Sequence, residues 1–352
     1  MAIIDKSSNF FKTKLYTGNG STQNITGLDF APNWVWIKSR TSSRVHVLVD
    51  TVRGATKRLQ TNEADAEATT SNSLTAFNSD GFSLGSYNQS NEGSASFVSW
   101  NWKAGSSFSN NAGANGATIA STGSVNQDAG FSICSFTGNG TSGATVKHGL
   151  STKPALMIVK NLAEADSWQV YHHKNTSSPA TQTLQLNETG ATSTTSNRWN
   201  DTEPTTSVFT LGNNPTVNKS GVGYIGYIFS EENGFSKFGK YTGNANASGT
   251  FVYTGFSPAF VIIKNKDAGE SWMMFDNERL SFNQINGRYQ LQPNTSGAEY
   301  QGAPLIDFLS GGFKLTTNTN SLNVAQDYIY WTFAKNPFVT STDNNSVPGP
   351  AV

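Results

Sequence analysis

At 352 residues the chain is long enough for two or three domains. Its 24 basic and 24 acidic side chains cancel, which argues against nucleic acid as a partner, since that rewards a basic stripe. A single cysteine, Cys134, excludes an intramolecular disulfide framework, and no stretch approaches the roughly 20 apolar residues of a membrane span. Aromatics at 12% supply material for cores, and the abundance of Ser, Thr, Asn and Gly is that of short strands joined by turns.

The N-terminal arm, MAIIDKSSNFF, has no apolar signal core, so synthesis in the cytoplasm is expected. The arm reads equally as the first edge strand of the fold or as a strand added to another subunit. Then comes YTGNG at Tyr16, a corner that returns as FTGNG at Phe136 and as YTGNA at Tyr241. Its glycines supply positive φ at little steric cost. Each corner precedes a proline and an apolar strand ending in lysine: Pro32 to Lys38, Pro154 to Lys160 and Pro258 to Lys264, six residues apart in all three. Twelve residues beyond each lysine a second strand ends, at Asp50, His172 and Asp276. GFSLGS, VFTLGN and GFKLTT follow, and fifteen residues past the phenylalanine of each begins a last strand: FVSWNW, YIGYIF and YIYWTF. A stretch between these elements of copy one, 61–77, has the only helical character, a turn or two at most. The chain therefore reads as all-β, three tandem antiparallel β-sandwich domains of jelly-roll or lectin-like type. The boundaries are 1–104, a Gly/Ser/Asn-rich linker at 105–128, then 129–232, 233–339 and a tail at 340–352.

In the last strands, Val98, Trp100 and Trp102 share one face at period two, as do Ile225, Tyr227 and Phe229, and Ile329, Trp331 and Phe333. That face is expected to be each unit's own core, with the opposite face negotiable. The Pro-to-Lys strand is apolar on both faces, which calls for cover on both sides or packing on a neighbouring domain.

Residues for chemistry are sparse. Asp50 and Asp276 are each followed at i+3 by arginine, Arg53 and Arg279, with His172 and Asn175 in their places in copy two. The pattern reads as a turn held by a salt bridge rather than as catalytic acids. His172 and His173 are adjacent and face opposite ways on a strand, so with His46 and His148 they make no zinc site. Asp65 with Glu67, and Asn200 with Asp201 and Glu203, lack the spacing of a calcium loop. No cofactor or metal is expected. Cys134, in the alternating run FSICSF, reads as a small buried hydrophobe. Seven of the eight tryptophans align with apolar residues of other copies. Trp199, in SNRWNDTEP, does not. With Arg198, Asn200 and His172 it is the candidate for a ligand contact, read either as a platform for a sugar ring or, more economically, as a loop anchor in its own domain.

These segments together, YTGNGSTQNITGLDFAPNWVWIKSR, DTVRGATKRL, KHGL, RWNDTEPTTSVFTLG and YTGFSPAFVIIKNK, resemble a repeated module of tailed bacteriophages, frequent in phages of marine bacteria and cyanobacteria. Members carry labels such as virion structural protein or tail fibre protein. The resemblance spans Leu15 to Phe338 and brings no catalytic motif. It implies a non-enzymatic protein of the virion, made in the host cytoplasm and displayed on capsid or tail. Its partners would be other virion proteins and a host-surface glycan, with a homotrimer as an expected assembly. The alternatives are a carbohydrate-binding module centred on Trp199 and a glycan-degrading enzyme using Asp50, Asp276 or Glu203.

Overall fold

The computed structural model describes residues 4–279, 288–302 and 305–336; the expected tail at 340–352 lies outside them. The chain is all-β, built from antiparallel sheets in a triplicated order. Each copy forms one four-stranded arrangement of its first, last, Pro-to-Lys and second strands. In copy one these are Phe11–Thr17, Ser96–Trp102, Trp34–Ser39 and Val47–Asp50. Copy two repeats the order with Phe131–Thr137, Gly223–Phe229, Leu156–Asn161 and Gln169–His172, and copy three with Ser236–Thr242, Asp327–Ala334, Pro258–Asn265 and Met273–Asp276.

Each of these inner sheets is covered on both faces. One face packs on a small outer sheet of its own copy, such as Gln23–Thr26, Gly81–Leu84 and Leu74–Asn78 in copy one. The clusters there belong to single copies: Val35, Ile37 and Phe97 in one, Met157, Val159 and Ile228 in another, Val261, Ile263 and Tyr330 in the third. The other face of all three sheets runs into one shared cluster. It takes Trp34, Trp100 and Trp102 from copy one, Ile158, Tyr227 and Phe229 from copy two, and Phe260, Trp331 and Phe333 from copy three. Rings cross the copy boundaries: Trp34 stacks on Tyr227 at 4.6 Å and Phe11 on Phe333 at 5.2 Å.

This corrects the expectation of independently cored units. The face read as each unit's own core is the communal one, and the face read as negotiable lines the private core. Both faces are buried and both carry large apolar side chains, so periodicity alone does not say which neighbour covers which, and Ser99, Asn101 and Thr332 lie buried on the private side. The double cover also accounts for the Pro-to-Lys strands, whose residues are buried throughout.

Two local expectations are also corrected. The segment 105–128 is not a linker: Ser106–Asn110 and Ser121–Asn126 pair as a hairpin and extend the sheet of copy two through Phe131–Thr137. Its small residues serve packing, since a Cβ on Gly123 would sit 2.0 Å from the Ile133 carbonyl oxygen. The 61–77 stretch forms turns and strands, including Leu74–Asn78, and no helix. The N-terminal arm folds inward, with Ile4 and Phe11 buried in the shared cluster and Phe10 edge-on to Phe235 at 6.0 Å.

The recurring corner has a cause in packing. Asn91, Asn218 and Asn323 are fully buried, and their side-chain oxygens accept the backbone N–H of Asn19, Asn139 and Asn244 at 2.9, 2.9 and 3.1 Å. Their amide groups donate to the carbonyls of Gly85, Gly212 and Thr317. The first glycine of each corner lies against the next carbonyl of the chain: a Cβ at Gly18, Gly138 or Gly243 would fall 2.1, 2.5 or 2.0 Å from the oxygen of Glu92, Lys219 or Val324. The second position takes positive φ, at Gly20, Gly140 and Ala245. So the first glycine is set by close approach and the second by φ.

Two outcomes follow. Substituting alanine at Gly18, Gly138 or Gly243 should lower stability by at least about 2 kcal/mol in urea titrations, whereas Gly190→Ala, which meets nothing within 4 Å, should be near neutral. Calorimetry of the whole chain should show one unfolding transition, and the isolated 129–232 fragment should lack a cooperative one because Tyr227 and Phe229 lose their cover. Separable transitions would restore independent cores.

Candidate functional site

The residues singled out for chemistry gather mostly where copies meet. The Asp50 carboxylate is fully buried. It accepts from the Tyr227 hydroxyl of copy two at 2.7 Å and from Arg53 Nε at 2.6 Å, and it takes the N–H groups of Val52 and Arg53. Asp276 repeats this in copy three, accepting from Trp100 Nε1 of copy one at 3.0 Å and from Arg279 Nε at 2.5 Å. The two arginines extend the likeness. Arg53 donates to the Leu48 carbonyl and to Glu67, and Arg279 to the Met274 carbonyl and to Glu299. Burial opposes both guanidinium charges, but the adjacent carboxylates dominate and hold them protonated. The salt-bridged turn expected for Asp-x-x-Arg is present, with an added duty in joining copies.

Copy two fills the same place differently. His172 Nδ1 accepts the Lys174 N–H, so Nε2 carries the proton and donates to the Tyr330 carbonyl of copy three at 3.1 Å. Burial pushes its pKa down to about 3, with His173 adding to the effect, so the ring stays neutral. The three junctions thus run from copy one to two, two to three and three to one.

A second cycle lies beside the first. The carbonyls of Gln60, Gln185 and Gln292 accept from Trp168 Nε1 (3.1 Å), Trp272 Nε1 (2.9 Å) and His46 Nε2 (3.0 Å), each on the following copy. His46 Nδ1 accepts from Trp36 Nε1 at 2.8 Å, and since an indole only donates, the imidazole proton must sit on Nε2. Burial keeps that ring neutral too. Two residues past each glutamine, the side chains of Asn62, Asn187 and Asn294 accept the backbone N–H of His46, Trp168 and Trp272. The sequence reading missed these residues. The signal was available as LQTN at Leu59, LQLN at Leu184 and LQPN at Leu291.

The strand-ending lysines are buried and share the inward row. Lys38, Lys160 and Lys264 donate to the carbonyls of Ser39, Asn161 and Asn265 at 2.8, 2.7 and 2.7 Å. Burial lowers them to about 7, about 8 and about 8.

The Trp199 cluster does not form the expected contact surface. Trp199 is fully buried in the private core of copy two, edge-on to Tyr171 at 6.1 Å, which overturns the sugar platform and leaves the loop anchor. Arg198 is engaged with Gln169 and Asn197, Asn200 accepts from the Ser142 hydroxyl, and His172 faces copy three. These four do not converge. Cys134 is buried as expected, and loss of hydration raises its thiol to about 12. No His/Cys/Asp/Glu group with metal-holding geometry occurs among the described residues.

A cleft of about 600 Å³ opens between copies two and three, walled by Lys153, His173, Lys174, Glu203, Glu231 and Lys240. Lys153 is ion-paired with Glu203. Glu231 accepts the Phe238 N–H at 2.9 Å, and His173 Nε2 meets the Phe238 carbonyl at 2.7 Å. The junction of copies one and two has a smaller cleft of about 390 Å³, where Asn33, Thr51 and Val52 stand in place of Ala155, His173 and Lys174 and no lining residue is charged. The larger cleft offers mixed charge, with both carboxylates already engaged. Asp50, Asp276 and Glu203, the acids an enzyme reading would need, are not brought together.

The chain belongs to the family defined by DUF7483, a domain of unknown function, which matches residues 6–337. Neither the curated proteins nor the solved structures contain a match.

Asp276→Asn should leave Arg279 buried beside a neutral amide and cost about 3–5 kcal/mol in denaturant titrations, while Asp201→Asn on the exposed loop should change stability by less than about 0.5 kcal/mol.

Proposed function

We propose that this is a non-enzymatic structural protein on the outside of a bacteriophage particle, attached to capsid or tail subunits. On this reading each copy is a β-sandwich of jelly-roll or lectin-like type whose inner wall is communal. The observation that carries the proposal is the use made of the acids. Asp50 and Asp276, the side chains best suited by type to hydrolysis, have their oxygens occupied by Tyr227, Trp100 and the two arginines. They act as joints between copies, which favours a rigid body over a catalyst.

The surface supports the same reading. The corners at Asn19 to Ser21 and at Asn244 to Ala247 are exposed, with their backbone pinned by buried Asn91 and Asn323, so they present fixed loops on a rigid framework. The resemblance of the repeated segments to phage virion modules is the ground for proposing that location. Assembly as a trimer and contact with the host surface belong to this proposal as its expected extensions.

An antibody raised against the recombinant chain should label purified particles of a phage encoding it, at a fixed place on capsid or tail in negative stain. Particles that carry no label, with all the protein left in the soluble lysate fraction, would refute the assignment.

A further inference from the structure

The outer sheet of copy three stands apart in what its edge strand shows to solvent. Its edge strand, Phe251–Tyr253, turns Phe251 and Tyr253 to solvent, 49% and 72% exposed, with Val252 buried between them. The register places Tyr253 opposite Gly312, which is opposite Leu309 on the third strand, itself 36% exposed. Phe251 lies opposite Lys314, and Lys314 opposite Asp307. Residues directly opposed in an antiparallel sheet share a face. One outer face therefore carries two aromatic rings and a leucine, a glycine gap between Tyr253 and Leu309, and Lys314 and Asp307 alongside. Lys314 Nζ reaches Ser248 Oγ at 3.3 Å, continuing the polar border.

The chain supplies its own comparison. Val252 corresponds to Ile25 in copy one and Val146 in copy two, each opposed by the buried phenylalanine of its partner strand. The positions of Phe251 and Tyr253 are then Asn24 and Thr26 in copy one, and Thr145 and Lys147 in copy two. The same strand forms with polar residues there, so folding does not require the rings.

We propose that this face binds a neutral hexopyranose of a polysaccharide, its C–H face stacked on Phe251 and Tyr253 and its hydroxyls bonded to Lys314. Size decides the occupant. The three apolar side chains present on the order of 300 Å², well short of the roughly 800 Å² per partner of a stable protein interface. It suits one or two sugar rings, and a cation and a carboxylate opposed in register give its border no net charge, which suits hydroxyls better than a charged ligand. The inference is independent of the virion assignment, since binding and particle location are measured separately.

The test is affinity electrophoresis of the full chain through gels containing dextran, galactomannan or alginate. The wild-type chain should be retarded by at least one of the two neutral polymers and not by alginate. The double substitution Phe251→Asn with Tyr253→Thr installs the residues of copy one and should reduce that retardation at least tenfold at unchanged melting temperature. Tyr253→Phe should keep it. Three results would overturn the proposal: no retardation by either neutral polymer, equal retardation of the double variant, or a sedimenting dimer of the wild type that the double variant dissolves, which would assign the face to a second copy.

Discussion

The constraint from which the rest follows is that each inner sheet is buried on both faces. Nine side chains of the three last strands, Val98 to Phe333, meet in one buried interior. An indole N–H or phenol placed there must find a partner or carry the cost of desolvation, about 1–3 kcal/mol each. Trp36 finds His46 in its own copy, and for four others the partner comes from the copy alongside. Trp100 finds Asp276, Tyr227 finds Asp50, Trp168 finds the Gln60 carbonyl and Trp272 the Gln185 carbonyl. The supply is incomplete: the buried indole N–H groups of Trp34 and Trp102 meet no hydrogen-bond partner among the described residues, and the stacking of Trp34 on Tyr227 does not replace one.

The cyclic order follows from repeating one junction three times. A surface of copy one that fits copy two, once triplicated, must fit copy three onto copy one if the chain closes. Closure explains why acids and arginines can be buried here at all. Asp276 and Arg279 together satisfy one another, Trp100, Glu299 and the Met274 carbonyl, so neither charge lies unpaired. At the His172 junction the neighbour is a backbone carbonyl in place of a donor. A carboxylate there would face a lone pair, and a neutral imidazole with its proton on Nε2 meets the need.

Much of this was legible in the sequence and part of it was not, for reasons that can be named. The triplication, the all-β class and the strand ends follow from fixed spacings, which a repeated sheet order imposes because strand length and pairing register must match. The allocation of faces was hidden. Trp34 and Val35 are both large and apolar, and period-two patterning separates faces only when one of them is wet. The LQxN element was overlooked because it begins 9, 12 and 15 residues after Asp50, His172 and Asp276, so no constant interval exposes it. Trp199 misled through its polar neighbours, which are exposed or half-buried around a ring that points inward. The hairpin at 106–126 misled through composition: glycine there marks a close approach to Ile133 and Phe108 and no flexibility.

The differences among the copies sort by place, and the sorting itself carries information. At the junctions the changes preserve a bond. His46 stands where the others have tryptophan, yet still gives a ring N–H to the glutamine carbonyl of its neighbour. At the corners, Ala245 replaces glycine and keeps the left-handed backbone at φ 54°. On the outer sheets the changes preserve nothing in common: Asn24 and Thr26, Thr145 and Lys147, Phe251 and Tyr253 differ in size, charge and polarity on equivalent backbone. Positions bound by the closed interior are held to one hydrogen-bond geometry whatever residue supplies it, while positions on the outer faces answer to whatever lies outside the chain. The specificity of this protein is therefore to be sought on those outer faces, copy by copy, and not in the shared interior that makes the three alike.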